Sequence, residues 1–277
     1  MHWGTAAWLQ LLAVVAILGA LHVPLGNHMA RVYSGESHWR VERFVYRMAG
    51  VDPDREQNWI WYLVSVLAFS AVSIVGLWTL LIAQTQLPRP WGHQGMTPLL
   101  ALNTAVSFVT NTSWQNYAGE STLGHLGLAA GLGVQAFASA AVGMAVAIAL
   151  IRGITRREAA RLGNFWVDLV RGIIRILLPI AVVVALVLTA LGVVESFGAA
   201  RSLTTPAHGS QTLPVGPVAS WEPIKLMSGD GGGAFNANSA HPFENPTALS
   251  NIIEIVVMLL IPTSLVRTYG VMVGDRR

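Results

Sequence analysis

The 277-residue sequence has no cysteine and few charged residues. Without cysteine, disulfide bonds and thiolate metal sites are excluded. Charged side chains make up 11% of the chain, whereas soluble domains carry about 25%. Of the 17 basic residues, only Lys225 is a lysine. Most of the arginines lie in short segments between apolar runs, so membrane topology explains the basic composition and no nucleic acid is expected as a partner.

The sequence also lacks the motifs of common catalytic sites. It contains neither a Walker loop (GxxxxGKS/T) nor a nucleophile elbow (GxSxG). The eight histidines include no pair spaced four residues apart, as two metal ligands on one helix would be. We therefore expect no transition-metal site, and we expect any ATP chemistry to belong to another chain.

Long apolar runs are what the sequence has in abundance, and a bilayer-spanning helix needs roughly 20 such residues. The runs cover residues 6–25, 60–83, 126–151, 173–194 and 249–266. They predict an all-α integral membrane protein that crosses the membrane several times. No Lys or Arg precedes the first run, as the start of a signal peptide would require, so we interpret that run as a retained helix.

Arginines predict the orientation, because cytoplasmic loops carry an excess of Lys and Arg. They cluster between the first and second runs and between the third and fourth, whereas the other connections hold only Arg89, Arg201 and Lys225. We therefore expect the N-terminus outside, both Arg-rich loops in the cytoplasm and the C-terminus of this chain inside.

Each sparsely charged connection contains an apolar segment too short to span. The segments are LLALNTAVSFV (99–109) and PVASWEPIKLM (217–227). Eleven helical residues reach about 16 Å, roughly half of the ~30 Å hydrocarbon core. The first is followed by VTNTSWQNY (109–117) and the second by SGDGGGAFNANS (228–239), and another span follows each.

The order of span, half-helix, polar loop and span thus occurs twice and predicts four regions. They are the first transmembrane helix with an Arg-rich cytoplasmic loop (1–58), pore repeat 1 (59–152, filter loop 110–117), a cytoplasmic basic connector (153–172) and pore repeat 2 (173–277, filter loop 229–236). The first helix stands outside the repeat.

Polar loops after half-helices indicate a cavity or pore, because irregular backbone at membrane depth needs protein or water to satisfy it. In potassium filters, loop carbonyls replace the hydration shell of the ion, and the negative end of a half-helix favours a cation. Gly231, Gly232 and Gly233 can adopt dihedrals that aim successive carbonyls in one direction. A flexible linker and an ordinary exterior loop are the alternatives, but the recurrence of the pattern favours pore loops.

Six stretches resemble the potassium-binding A subunit of the Kdp potassium-transporting P-type ATPase. They are LNTAVSFVTNTSWQNYAGEST (102–122), GLGVQAFASAAVGMAVAIALIRG (131–153), LGNFWVDLVR (162–171), LPVGPVAS (213–220), GGGAFNANSAHPFENPTALSN (231–251) and MVGDRR (272–277). The resemblance extends from about residue 40 to the C-terminus and covers the N-terminal half of the family pattern.

The resemblance implies a fold like a potassium channel built from one chain. Four span–pore helix–filter loop–span repeats, two of them present here, follow one extra N-terminal transmembrane helix. It also implies a complex in the bacterial inner membrane that imports potassium at high affinity. A partner B subunit hydrolyses ATP, and small C and F subunits complete the complex. Potassium is then the transported ligand, with no organic cofactor, and membrane lipid surrounds the spans.

The resemblance also implies which residues hold potassium. The expected ion-binding residues are Thr110, Asn111, Thr112, Ser113, Gly229, Asp230, Gly231 and Gly232, with Trp114, Gln115 and Gly233 as filter support. The family usually reads TNTNWQSY and TNGGGFFN where this chain has TNTSWQNY and GDGGGAFN. An ionised Asp230 would strengthen cation binding or weaken discrimination, and a neutral Asp230 would do neither.

The chain carries two filter loops where the family has four. Two loops cannot surround an ion with four sets of carbonyls, which leaves a fragment, a subunit split over two chains, or two associated copies. A passive or symport-type cation channel and a non-conducting remnant that scaffolds partner subunits are the functional alternatives to a subunit of the ATP-driven importer.

Overall fold

The computed structural model describes residues 3–88, 93–155, 161–229 and 231–275. Asp230 of the second loop and residues 156–160 of the predicted connector therefore lie outside the described residues. The chain divides into two compact units. The first comprises Met1–Phe69, Ala140–Pro179 and Ile252–Arg277, and the second comprises Ser70–Ser139 and Ile180–Asn251.

Helices dominate the described residues. They are α1 (Trp3–Ser34), α2 (Arg40–Met48), α3 (Trp59–Ile82), α4 (Pro98–Val109), α5 (Gly119–Thr122), α6 (Val134–Thr155), α7 (Phe165–Arg171), α8 (Leu178–Ala190), α9 (Val218–Ser228) and α10 (Ala248–Val273). Wider π-helical turns at Gly127–Gly133 and Gly172–Leu177 lead into α6 and α8. A short 3-10 turn, Gln84–Gln86, follows α3.

Within the described residues, five helical segments are long and apolar enough to cross a membrane, which confirms the predicted multi-pass helical protein. They are Gly4–Ser34, Trp59–Ile82, Gly127–Thr155, Phe165–Ala190 and Ala248–Val273. The departure from an all-helical chain is a small antiparallel hairpin of β1 (Arg201–Thr204) and β2 (Ser210–Leu213). Its side chains are largely exposed, so it adds little to the packed core.

Several spans extend beyond their predicted bounds, and α10 continues to Val273 where the predicted span ends at residue 266. Helix α1 continues to Ser34, and the fourth span begins at Phe165 instead of residue 173. Asn164 starts that span, because its Oδ1 accepts hydrogen bonds from the amides of Trp166 at 3.0 Å and Val167 at 3.4 Å. The prediction stopped short because the charged residues that follow Asn164 suggest a loop, whereas the structure buries them within the helix.

A buried ion pair explains how this charge is tolerated in the first unit. Arg152 of α6 donates to both carboxylate oxygens of Asp168 in α7, at 2.6 and 2.9 Å. The Tyr62 hydroxyl of α3 donates to the same carboxylate at 3.1 Å. Arg152 also donates to the carbonyl oxygens of Tyr33 at 2.8 Å and Leu162 at 2.9 Å. These bonds compensate the desolvation of both charges and connect four helices of one unit.

A second pair holds the short helix α2 against the fourth span. Arg175 donates from Nε and Nη2 to the carboxylate of Glu42, and its guanidinium lies 4.7 Å from the centre of the Trp39 ring. Burial by itself would raise the pKa of Glu42, but hydrogen bonds from Arg175 and the Trp39 amide outweigh burial and lower the pKa. Glu42 therefore stays ionised at neutral pH.

The variant Asp168→Asn is expected to destabilise the protein by about 3–5 kcal/mol, because it leaves the buried Arg152 guanidinium without its counter-charge. The free energy of unfolding in detergent micelles, measured by SDS titration, checks this. Asp54→Asn is the matched control, since the Asp54 side chain is 87% exposed and lies 3.6 Å from His38, and surface pairs contribute little. An equal loss of stability in both variants would contradict the role of the buried pair.

Candidate functional site

The two predicted filter loops lie in the second unit, each at the C-terminal end of a half-helix. Helices α4 and α9 have 12 and 11 residues, or about 18 and 16 Å, so neither can cross the hydrocarbon core. Helix α4 ends just before Thr110, and α9 ends just before Gly229. The partial negative charge at both helix ends is therefore directed toward the loops.

The N-terminal ends of the half-helices are held by different means. Pro98 opens α4, where its missing N–H costs no helical hydrogen bond. At α9, the carboxylate of Glu195 accepts hydrogen bonds from the Ser220 amide at 2.8 Å and from its hydroxyl at 3.1 Å. A carboxylate at this end also complements the helix dipole.

The first loop turns its amides back toward α4. The amides of Thr112 and Ser113 donate to the Ser107 carbonyl at 3.0 and 3.3 Å, and the Ser107 hydroxyl donates to the Trp114 carbonyl at 3.2 Å. Asn111 and Ser113 have φ of 56° and 48°, which is uncommon for residues with a Cβ. Hydrogen bonds to Ser107 of α4 thus hold the loop in a conformation with positive φ at every second residue, Asn111 and Ser113.

The second loop has glycine at its described positions of positive φ between residues 229 and 232. Gly229, Gly231 and Gly232 have φ of 75°, 93° and 75°, which glycine adopts without the steric cost that other residues bear. Ser113 and Gly232, the fourth residues after their half-helices, both have positive φ. The two loops therefore share a backbone feature although their side chains differ.

The loops run side by side in the same direction. Among the described residues, three hydrogen bonds connect the two segments in chain order. They run from Asn111 Nδ2 to the Ser228 carbonyl at 3.2 Å, from the Gly233 amide to Gln115 Oε1 at 2.8 Å, and from the Asn236 amide to Oε2 of Glu120 in α5 at 3.0 Å. Each later residue of the first loop meets a later residue of the second. Side chains of the first loop thereby fix the backbone of the second.

Glycine permits this close approach at two points. A Cβ on Gly232 would lie 2.8 Å from the Ser113 carbonyl oxygen and 3.0 Å from Cζ of Phe108. A Cβ on Gly119 would lie 2.6 Å from the carbonyl oxygens of both Gly233 and Ala234. Side chains at either position would push the loops apart, because the obstructing atoms are mainly backbone.

Behind the second loop lies a buried group of three charges, here called the charge cluster: Glu222 and Lys225 of α9, and Glu244. The Lys225 ammonium lies 2.8 Å from Glu222 and 3.5 Å from Glu244, and all three side chains are at most 2% exposed. Ser239 completes the group, since its hydroxyl donates to Glu222 at 2.5 Å and its amide to Glu244 at 3.1 Å.

Two side chains near the loops have shifted pKa values. Burial raises the pKa of Glu244 to about 7, and repulsion from Glu222 adds to the rise while Lys225 opposes it. Burial also raises the pKa of Tyr117, against the opposing effects of Thr104 and Gln115. The charge of Glu244 therefore changes near neutral pH.

The structure brings together most of the expected site residues. Residues 110–115 and 229–233 are adjacent, except for Asp230, which lies outside the described residues. Thr110 supports its own loop, because its hydroxyl lies 2.8 Å from the Val106 carbonyl and 2.9 Å from the Thr112 hydroxyl. Trp114 is 48% exposed, and its expected role in filter support stays a prediction.

Sequence reasoning missed Glu222 and Glu244. One feature of the sequence could have indicated Glu222. The one lysine of the chain lies on a half-helix, three residues after Glu222, and a lone cation on a segment predicted to enter the membrane needs a counter-charge. Nothing in the sequence brings Glu244 to the same place. In the part of the chain that the structure describes, no group of three or more His, Asp or Glu side chains is placed to hold a metal ion.

A cavity of about 420 Å³ adjoins the loops beyond Gln115. Its lining includes Glu120, His125 and Phe235. The His125 ring nitrogen Nε2 lies 2.7 Å from the Val215 carbonyl. The loops thus border an open space with both polar and apolar walls.

Comparison with known proteins identifies the family of the chain. Residues 12–277 match the family described as Potassium-transporting ATPase A subunit. The chain is 57% identical over 276 residues to the potassium-transporting ATPase potassium-binding subunit of Mycolicibacterium smegmatis, covering 99% of this chain and 50% of that protein. The subunit of the same name from Mycobacterium sp. strain KMS is 55% identical over 280 residues, covering 100% and 50%.

The similarity extends to more distant bacteria. The protein of the same name from Streptomyces coelicolor is 51% identical over 272 residues, or 98% of this chain and 49% of that protein. The chain thus spans about half the length of the curated relatives it matches. On the match over residues 12–277 and these identities, the chain belongs to the potassium-transporting ATPase A subunit family, KdpA.

Proposed function

We propose that this chain provides part of the potassium-binding and translocating subunit of an ATP-driven potassium importer. Backbone carbonyls of residues 110–113 and 229–232 would hold the ion. The observation that carries the proposal is the packing of two loops, side by side and in the same direction, at the C-terminal ends of two half-helices. The names of the relatives support potassium as the ion.

The physical basis is the replacement of ion hydration by carbonyl oxygens. The amides of Thr112 and Ser113 donate to the Ser107 carbonyl, so hydrogen bonds within the protein hold the first loop. The ends of α4 and α9 add negative potential where the cation would bind. Because hydrogen bonds within the protein hold the loops, little ordering entropy would oppose ion binding.

The proposal includes the surroundings of the site. Pore repeat 1 (59–152) and pore repeat 2 (173–277) would each present one loop on the outer side of the bacterial inner membrane, with both Arg-rich loops in the cytoplasm. A B subunit would hydrolyse ATP, and C and F subunits would complete the complex. Two loops supply half of a four-fold carbonyl ring, so the remaining oxygens would come from further sequence, a separate chain or a second copy.

Uptake tests the proposed function directly. Cells without their own high-affinity potassium uptake would express the chain with the other subunits of its complex. We expect growth at micromolar potassium and rubidium-86 uptake that requires ATP hydrolysis by the B subunit. Uptake that persists when the B subunit is catalytically inactive would favour a passive channel. If the cells showed no uptake and no rescue of growth, the result would favour a non-conducting scaffold.

Gly232→Ala should raise the apparent KM for rubidium by about ten-fold or more, equivalent to about 1.4 kcal/mol. The added Cβ would meet the Ser113 carbonyl oxygen at 2.8 Å and separate the loops. Gly229→Ala is the matched control, because Gly229 has the same φ of 75° but no atom of the described residues lies within 4 Å of an added Cβ. It carries the backbone strain without the collision, so its effect should be clearly smaller. Equal effects would show that loop contact does not set affinity.

Gln115→Leu should also weaken rubidium uptake, because it leaves the Gly233 amide without its acceptor at 2.8 Å. An unsatisfied buried donor costs about 1–3 kcal/mol, which corresponds to a rise in KM of about five-fold to a hundred-fold. Gln115→Glu keeps an acceptor oxygen at that position and should retain more of the affinity. The hydrogen bond would lose its assigned role if the Leu and Glu variants had the same KM.

A further inference from the structure

The charge cluster of Glu222, Lys225 and Glu244 touches the second loop directly. A Cβ on Gly233 would lie 3.3 Å from Glu244 Oε1 and 3.5 Å from Lys225 Nζ. The Gly233 amide in turn donates to Gln115 of the first loop at 2.8 Å. The cluster therefore lies next to Gly233, whose amide forms the hydrogen bond to Gln115 between the two loops.

We propose that the charge cluster is a positioning element of the ion site, which supports Gly233 from behind and makes cation affinity depend on the ionisation of Glu244. This inference rests on the proposed function. Glu222, Lys225 and Glu244 are positioning residues, since they act on the ion through Gly233 and through their electric field and do not touch the ion themselves.

The three charges of the cluster come from two separate segments of the chain. Lys225 and Glu222 lie three residues apart on α9, so this pair could form within the helix alone. Glu244 belongs to the segment between the second loop and α10. Ser239 of the same segment donates hydrogen bonds to the carboxylates of both Glu222 and Glu244. The cluster thereby connects the segment between the second loop and α10 to helix α9, and Gly233 lies beside this connection.

The cluster is also unbalanced in charge. Two carboxylates face one ammonium, so full ionisation leaves one net negative charge buried behind a loop that is proposed to bind a cation. The electric field of a charge is screened less in a buried site than in water, so it acts over longer distances there. Protonation of Glu244 balances the cluster and removes that attraction, while the hydrogen bond from the Ser239 amide can persist.

Neutral pH is the range in which this change occurs. Burial and Glu222 raise the pKa of Glu244 to about 7 against the effect of Lys225, so Glu244 becomes ionised as pH rises through 7. The charged groups that face it within the described residues are Lys225 and Glu222 of α9. His241 lies in the same turn, where burial lowers its pKa against the opposing effect of Glu120, so it is neutral over most of this range. Cation affinity should therefore rise with pH between about 6 and 8.

Rubidium-86 uptake by cells at external pH 6 to 8 tests the inference, with KM and kcat measured separately. For the wild type we expect KM to be about five-fold higher at pH 6 than at pH 8. Glu244→Gln should keep the higher KM at every pH with kcat changed less than about two-fold. Glu195→Gln is the matched control, since it removes a carboxylate that caps the other end of the same helix and should leave the pH profile unchanged.

A conservative variant separates positioning from simple stability. Glu244→Asp retains the carboxylate and should keep a pH-dependent KM, even where Glu244→Gln is poorly recovered in the membrane. The inference is overturned if wild-type KM is independent of pH, or if Glu244→Gln keeps the wild-type pH dependence. Absence of rubidium uptake by the wild type at every pH overturns the proposed function as well, whereas uptake without the pH effect overturns only the inference.

Discussion

An ion site made of backbone carbonyls requires a loop that is held in place by other means. In the membrane every backbone group needs a partner, and a filter reserves its carbonyls for the ion. In this chain the amides of Thr112 and Ser113 bond back to Ser107, and side chains of Asn111 and Gln115 reach across to the second loop. Hydrogen bonds from side chains and to the end of α4 therefore hold the loop backbone, as hydrogen bonds between strands hold the backbone of a sheet.

Mutual contact makes the two loops one structural element. Gly232 packs against the Ser113 carbonyl and Gly119 against the carbonyls of Gly233 and Ala234. Because packed interiors transmit strain instead of absorbing it, a displacement of one loop changes the position of the other. Under the proposed function, the ion affinity would then depend on both loops, and residues behind either loop would influence it.

Membrane thickness explains why so much of the fold can be predicted from the sequence. A span must be long and apolar, so length and hydropathy identify five of them, and the half-helices are recognisable because they are too short. Helix ends set by charge are harder to find. Asp168 suggests a loop until its partner Arg152, sixteen residues earlier, and Tyr62 of another helix are known. The two loops are visible as motifs, but their contact, the exposure of Trp114 and the approach of Glu244 depend on tertiary structure that no local pattern encodes.

The two kinds of buried charge in this chain have different consequences. Arg152 and Asp168 balance each other, and their remaining hydrogen-bonding groups are met by Tyr62 and by carbonyls of other segments. Such a pair holds helices together and has no charge to offer a ligand. The charge cluster has a carboxylate in excess, and an unbalanced buried charge is costly unless a partner compensates it. If the proposed ion site is correct, a cation bound beside Gly233 would be that partner.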